Sequence, residues 1–513
     1  MIEMPSKFDK KYFYYLLIIA LVYAAFFIIN GLLCLWAYAS SIIDLGTFDQ
    51  ILWMASKGMQ PTTSINYPLQ PDKPWLGFHF SLLIFLLAPL YLISAQPEWL
   101  VLVHVLCISL TVIPIYFCCI ELGFTNRQSM LWGIVYLTNC IVIYSSLWEF
   151  HEQSLAVPLV AICMWATLTR KNKILFLALF ALALTKEHYG ATIAAFGVFY
   201  GLYHKEWKVS SSIFVCGALV FYIIVFIIMP FFNNGEHPML NDSIMQAGER
   251  HIKRYFWLKW ELKEAIGHGL RILISHFNIF LYAFLFLPLL LLPFAKWIYL
   301  IPMMPEFALN ILSDFEGPRN ISSYYYSTIV PILVIAAAAG CMNIKRKFLA
   351  LRTSELIYAV LLVNMIVFMV IMPKKILPDF SKINSSNFFY SEELLKVKKL
   401  LPNDLSLAAS SNIGVYFSHR KTIIPLARES KEIDAMVVYL EQPVIHNGAW
   451  FNPIGKKVAS DNAPFSTLIL ALQDPHWGVS YYSDYWLVLK RNSPSVVPRE
   501  IVRTRLEKIY SWM

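Results

Sequence analysis

Apolar runs long enough to cross a bilayer recur along the first three quarters of this chain, and nothing else in it constrains the fold so strongly. A helix needs about 20 mostly apolar residues to span the hydrocarbon layer. The run from Tyr12 to Tyr38 is the first that qualifies. It is too long for the apolar part of a signal peptide and no small-residue cleavage site follows it, so it reads as a retained span. Composition agrees, with 58% hydrophobic and 15% charged residues in 513 and a mean hydropathy of +0.56, outside the range of a soluble domain. The chain reads as a polytopic α-helical membrane protein.

Basic residues set the expected orientation, because lysine and arginine concentrate in cytoplasmic loops. With Lys7, Lys10 and Lys11 inside, spans fall near 12–38, 97–120, 128–146, 153–170, 173–186, 188–204, 209–232, 272–295, 297–312, 325–343 and 354–372. That is about eleven crossings, with the C-terminus outside. The inner connections then hold Arg127, the Arg170 and Lys171 pair, Lys205, Lys296 and the cluster at Lys345 to Lys347. The run "FHFSLLIFLLAPLYLI", residues 78–93, is left uncounted, since counting it would invert every later loop; it is expected as a re-entrant or interfacial helix within an outer loop 39–96. From about 373 onward the apolar runs shorten and strand-like "LSLAAS", "KTIIPL" and "AMVVYL" appear, which points to a small extracytoplasmic α/β domain over 373–513. All eight cysteines lie in apolar runs, with neither a disulfide framework nor zinc spacing. The net charge of +9 belongs to span ends, and nucleic acid is not needed to explain it.

Acids at the outer ends of the spans are the candidate chemistry. Directly after the first run comes "SSIIDLGTFDQILWMASKG", with Asp44 and Asp49 five positions apart. Thr47 and Gln50 make a capping-box pattern that would start an interfacial helix near Phe48, with Asp49 favoured in its first turn by the helix dipole. Asp44 precedes that cap among apolar neighbours, where a carboxylate must be solvated or partnered. The next outer turn, "YSSLWEFHEQSLAVP", packs Glu149, His151 and Glu152 into four residues. Glu149 fits a cap with Ser146, while His151 and Glu152 are candidates for an acceptor sugar or a divalent ion, magnesium or manganese, although the spacing matches no metal motif.

Cations on the same face suit a phosphate. "LTKEHYG" supplies Lys186 beside Glu187, and "SDFEGPRNISSYYY" supplies Arg319, whose fork matches phosphate oxygens. Arg254 lies in the basic, aromatic segment 249–271, best read as an interfacial helix on anionic lipid. His79, Glu187 and Tyr324 complete the candidate set from these outer segments.

The blocks "DLGTFDQILW", "GFHFSLLIFLLAPLY", "WEFHEQSLAVPL", "LTKEHYG" and "DPHWGVSYYSDYWLVLKR" occur in order, and the chain resembles domain-of-unknown-function family 2079 of predicted prokaryotic membrane proteins. It departs from that pattern at Leu82 and at Glu152, flanked by Gln153, where the family favours proline, and at His188, where it favours an acid. The family in turn resembles the GT-C glycosyltransferases, which take a sugar from a polyprenyl phosphate at the outer face of the prokaryotic plasma membrane. The resemblance implies an acid after span 1 as general base, here Asp44 with Asp49 as the competing choice, and a second acid near the end of span 3, here Glu149 or Glu152. The chemistry fits one carboxylate: an acceptor hydroxyl needs a base, whereas a lipid phosphate leaves as an anion without an acid. Lys186, Arg254 or Arg319 would stabilise that anion. A proton-coupled lipid or sugar transporter and a non-enzymatic envelope assembly factor are the rival readings. A transporter would place its acids near mid-span on broken helices.

Overall fold

The structure, a computed structural model, describes residues 9–62, 64–66, 72–233, 235, 255–347, 352–371, 391–426, 433–440 and 463–510. Among these, four helices are long and apolar enough to cross a membrane: Lys10–Trp36, Glu98–Glu121, Trp207–Phe231 and Thr353–Val370. Two further pairs bend sharply, by 55° at Asn139 and by 52° between Leu262–Leu273 and His276–Leu289, which makes six if each pair is one span. The first helix shows why lipid is the expected solvent. Leu16, Ala20 and Ala24 bury a stripe at helical spacing, while Ile18, Val22 and Ile29 on the other faces are apolar and exposed. The bend at Asn139 has a local cause: this residue leaves the helical backbone and its side chain accepts the N–H of Ile141 at 3.1 Å, ending one helix and capping the next.

The other expected spans are shorter. Gln153–Leu168 and Asn172–Ala183 are apolar helices of 16 and 12 residues. The stretch around 297–312 divides into a 3₁₀ segment, Leu292–Met303, and a helix, Met304–Ile311, at Pro293, Pro302 and Pro305. The uncounted run 78–93 forms a 3₁₀ turn, Leu82–Leu87, followed by Ala88–Ile93. It is too short to cross a hydrocarbon layer of about 30 Å, and the Leu83 N–H donates to Leu184 O at 2.8 Å, tying it to the turn that carries Lys186. Glycine allows close helix contact: a Cβ on Gly217 would collide with the backbone N of Ala194.

Beyond Ser391 the chain builds a five-stranded sheet from β1 (Leu407–Ala409), β2 (Ile423–Pro425), β3 (Ala435–Tyr439), β4 (Trp477–Tyr482) and β5 (Trp486–Arg491), in the order β2-β1-β3-β5-β4. β1 pairs parallel with β2 and β3; β5 runs antiparallel to both β3 and β4. Side chains alternate faces along a strand. Val438, Leu487 and Leu489 therefore pack on Leu468, Leu472, Val502 and Leu506 of the helices Ala463–Gln473 and Arg499–Tyr510. Leu407, Ala435, Val437 and Val488 face the other way and share one apolar core with Leu35, Tyr38, Ile42, Leu45 and Ile51. That second face sits on the chain just past the first helix, where Asp44 lies.

Candidate functional site

Asp44 stands on a single π-helical turn, Ile42–Gly46, which runs directly into the helix Thr47–Ser56. Such wide turns recur at functional sites because they re-aim one side chain. The Ser41 hydroxyl begins it by accepting the Ile43 N–H at 3.1 Å. The expected cap at Thr47 does not form, because the helix already continues through it: Thr47 Oγ donates to Ile43 O at 2.6 Å, and Gln50 turns away to donate to Ser64 Oγ and Arg420 O. Glu149 likewise caps no helix of its own. Its Oε1 accepts the Ser41 N–H at 2.6 Å and its Oε2 the Leu45 N–H at 3.1 Å, so one carboxylate bridges the turn that carries Asp44. Behind Glu149 lies a cavity of about 20 Å³ lined by His104, Ser146 and Trp148, room for a water but not for a sugar.

Asp44 meets His151, with Nε2 at 3.4 Å from Oδ1, and its side chain stays 24% exposed. Tyr324 stacks on the imidazole at 3.7 Å between ring centres and 24° between planes, which fixes the ring against the carboxylate. Next to this dyad are two buried ion pairs. Lys186 Nζ lies 2.7 Å from Glu152 Oε1, and His79 Nδ1 lies 2.9 Å from Glu187 Oε1, whose second oxygen accepts the Phe80 N–H. Glu152 feels Lys186, His79 and His151, and Tyr324 feels both Glu152 and Asp44, so these residues form one continuous cluster.

Burial works on each acid and its neighbours decide the outcome. Burial, and after it the Asp44 charge, push Glu149 up to about 8 against the hydrogen bonds from Ser41 and Leu45. Burial alone would raise Glu152 as well, but Lys186, His79 and His151 hold it below the usual carboxylate range. Glu187 is held down in the same way by His79 and Lys186, and the two acids keep Lys186 charged against its own burial. Among the described residues no three His, Cys, Asp or Glu side chains converge on a metal-binding geometry. The donor set does not fit a divalent ion: Glu152 and Glu187 already have cationic partners and Glu149 holds backbone N–H groups.

Two expected members lie elsewhere. Asp49 is not an exposed first-turn acid; its side chain is 0% exposed, with Tyr91 OH donating at 2.7 Å, the Ser418 hydroxyl donating to Oδ2, and His419 Nε2 at 3.0 Å. The helix it starts does not lie on a membrane surface either, since Thr47 to Leu52 are all buried beneath the C-terminal sheet. Arg319 donates to Ser275 Oγ at 2.9 Å and to Asp314 O at 3.3 Å and covers the Phe277 ring, apart from the Asp44 cluster. Arg254 lies outside the described residues. One member was missed: Glu306, buried, accepts from Gln153 Nε2 at 3.2 Å and Thr328 Oγ at 2.7 Å, with His188 Nε2 at 3.8 Å. A single acid inside the apolar stretch "IPMMPEFALN" was the signal for it.

The family described as "Predicted membrane protein (DUF2079)" has a model that matches residues 34–452, from the end of the first helix through the Asp44 cluster and strands β1 to β3. The chain belongs to this family. No curated protein matches it. The match ends before the "DPHWGVSYYSDYWLVLKR" block, so β4 and β5 stand outside the part of the chain that defines DUF2079 membership.

Proposed function

We propose that this membrane protein is a GT-C-like glycosyltransferase that moves a sugar from a polyprenyl-phosphate donor to an acceptor hydroxyl at the extracytoplasmic face of the plasma membrane. In this reading the shorter apolar helices complete about eleven crossings, with the N-terminus inside and the domain 373–513 outside. The observation that carries the proposal is the contrast between the two acids: Asp44 is partly open and turned to His151, whereas Asp49 is closed off by three partners. Asp44 takes the proton of the acceptor hydroxyl as its oxygen bonds to the anomeric carbon. The bond from that carbon to the donor phosphate breaks and its electron pair leaves on the phosphate. General-base help of this kind contributes about 10²–10⁴-fold.

A cation must meet the leaving phosphate. Lys186 is the cation inside the Asp44 cluster, held by Glu152 at 2.7 Å, and Arg319, whose hydrogen bonds go to neutral oxygens, is the second candidate, outside that cluster. One observation supports a rival. Glu306, on a segment interrupted by prolines, is a buried acid with the His188 imidazole at 3.8 Å, as a proton-coupled transporter would use. The two are separated by reconstituting the protein with radiolabelled sugar on polyprenyl phosphate. Label recovered on an acceptor supports the transferase, and label moved across the bilayer still attached to its lipid supports the transporter.

A further inference from the structure

The turn that carries Asp44 does not hold its own backbone. Early helical N–H groups have no partner inside the helix and must find one outside. Glu149, in the turn that follows the helix Cys140–Leu147, takes those of Ser41 and Leu45. The Ile42 N–H is taken from the opposite side, by Ser411 O at 2.9 Å. Ser411 follows strand β1, and the Ser410 N–H donates to Val437 O at 3.0 Å, so the carbonyl that receives Ile42 is pinned to the sheet.

From Ser411 the chain runs along the Asp44 segment and touches it at successive points. Gly414 comes so near Ile42 that a Cβ would lie 2.6 Å from Ile42 Cβ, a distance no side chain permits without movement. Tyr416 OH donates at 2.6 Å to Leu35 O at the end of the first helix. The Ser418 hydroxyl and His419 then close on Asp49, with the His419 ring stacked on Trp53 at 5.6 Å and 7°. Arg420 O accepts from Gln50 Nε2 at 2.9 Å. The shape of the π-turn is thus set by groups outside it on both sides.

We infer that residues 411–420 are a positioning segment for the Asp44 site, so that the C-terminal domain is one wall of that site and not a separate binding module. Asp49 acts here as the anchor through which Ser418 and His419 hold the segment in register. Glu149, the Ser411 carbonyl and this anchor together fix where the Asp44 carboxylate points. The role given to Asp44 itself rests on the transferase reading; the docking does not.

The test is hydrogen–deuterium exchange on the full chain in lipid nanodiscs, read over residues 39–50, for wild type, His419→Ala, His419→Gln, Ser418→Ala and Gly414→Val. His419→Ala and Gly414→Val should lower protection at 39–46 about tenfold while β3 and β5 stay protected, and His419→Gln, which keeps a donor toward Asp49, should restore it. Ser418→Ala removes one hydroxyl without a packing change and should loosen the same residues; it decides the matter if β3 and β5 open in the other two variants. In transfer assays the loosened variants should lose kcat with KM unchanged. Unaltered exchange at 39–46 in Ser418→Ala together with either other variant overturns the inference, and where both others open β3 and β5, unaltered exchange in Ser418→Ala alone overturns it. Loosened exchange in a protein whose wild type transfers no sugar keeps the inference and removes the transferase reading instead.

Discussion

Lys186→Met leaves the Glu152 carboxylate buried with its 2.7 Å partner gone. Removing one member of a buried pair costs about 3–5 kcal/mol, because the other charge stays desolvated. His79 and His151 still reach Glu152 and soften the loss, which places the expectation near the lower limit, about 3 kcal/mol. Against a typical total of about 5–15 kcal/mol this is a large fraction. The sign of the pH dependence should also invert. In wild type the folded value of Glu152 lies below its ordinary 4.5, so its contribution is present above that pH and lost as pH falls through the folded value. In Lys186→Met burial prevails, the carboxyl is raised, and stability should increase as pH is lowered from 7 toward about 5. The double variant Lys186→Met/Glu152→Leu removes both charges and should return to within about 1–2 kcal/mol of wild type. Thermal unfolding in detergent, followed by tryptophan fluorescence across that pH range, measures all three. A Lys186→Met protein as stable as wild type, with the same pH slope, would refute the buried-pair argument.

Glu149 titrates in the opposite sense: its folded value is raised to about 8, so its contribution is complete below about 4.5 and is lost as pH rises through about 8. Glu149→Gln, measured by the same unfolding, should flatten the decline between those limits. Gly217→Val drives a side chain into the backbone of Ala194 and should cost about 1–3 kcal/mol or prevent folding, checked by the yield of monodisperse protein in detergent. Arg319→Ala should weaken binding of polyprenyl phosphate in an equilibrium assay, and unchanged affinity would remove Arg319 from the donor site.

How far the sequence could be read depended on whether a residue's partner was near it in the chain. The membrane helices are legible because twenty apolar residues carry their own explanation, and a cap is legible where serine bonds its own helix, as Ser391 does for Glu392–Leu400 by accepting the Leu394 N–H at 3.2 Å. The strands were visible as short strand-like runs, and three of them sit where "LSLAAS", "KTIIPL" and "AMVVYL" place them. The capping boxes at Thr47 and Ser146 fail because both residues sit in turns that are already helical, their hydroxyls donating to Ile43 O and Val142 O, and because their partner side chains reach distant groups. Glu149 reaches across to Ser41 and Leu45, Ser146 meets Tyr23 OH, and Gln50 goes to Arg420, 370 residues away in sequence. Asp49 was misjudged in the same way, since its partners Tyr91, Ser418 and His419 are all remote. The pairing of Lys186 with Glu152 rather than its neighbour Glu187 is likewise a tertiary fact.

The division of labour between the two acids after the first helix is tested most directly by transfer from radiolabelled polyprenyl-phosphate sugar, with equal amounts of purified wild type, Asp44→Asn and Asp49→Asn in liposomes. Asp44→Asn keeps size and most hydrogen bonding but removes the base; it should fold, bind donor and lose about 10²-fold or more in kcat. Asp49→Asn keeps size and an acceptor for Tyr91 and Ser418 but weakens the anchor of residues 411–420; it should lose about 1–3 kcal/mol of stability and some kcat, well short of the loss in Asp44→Asn. An active Asp44→Asn beside an inactive but folded Asp49→Asn would contradict the assignment.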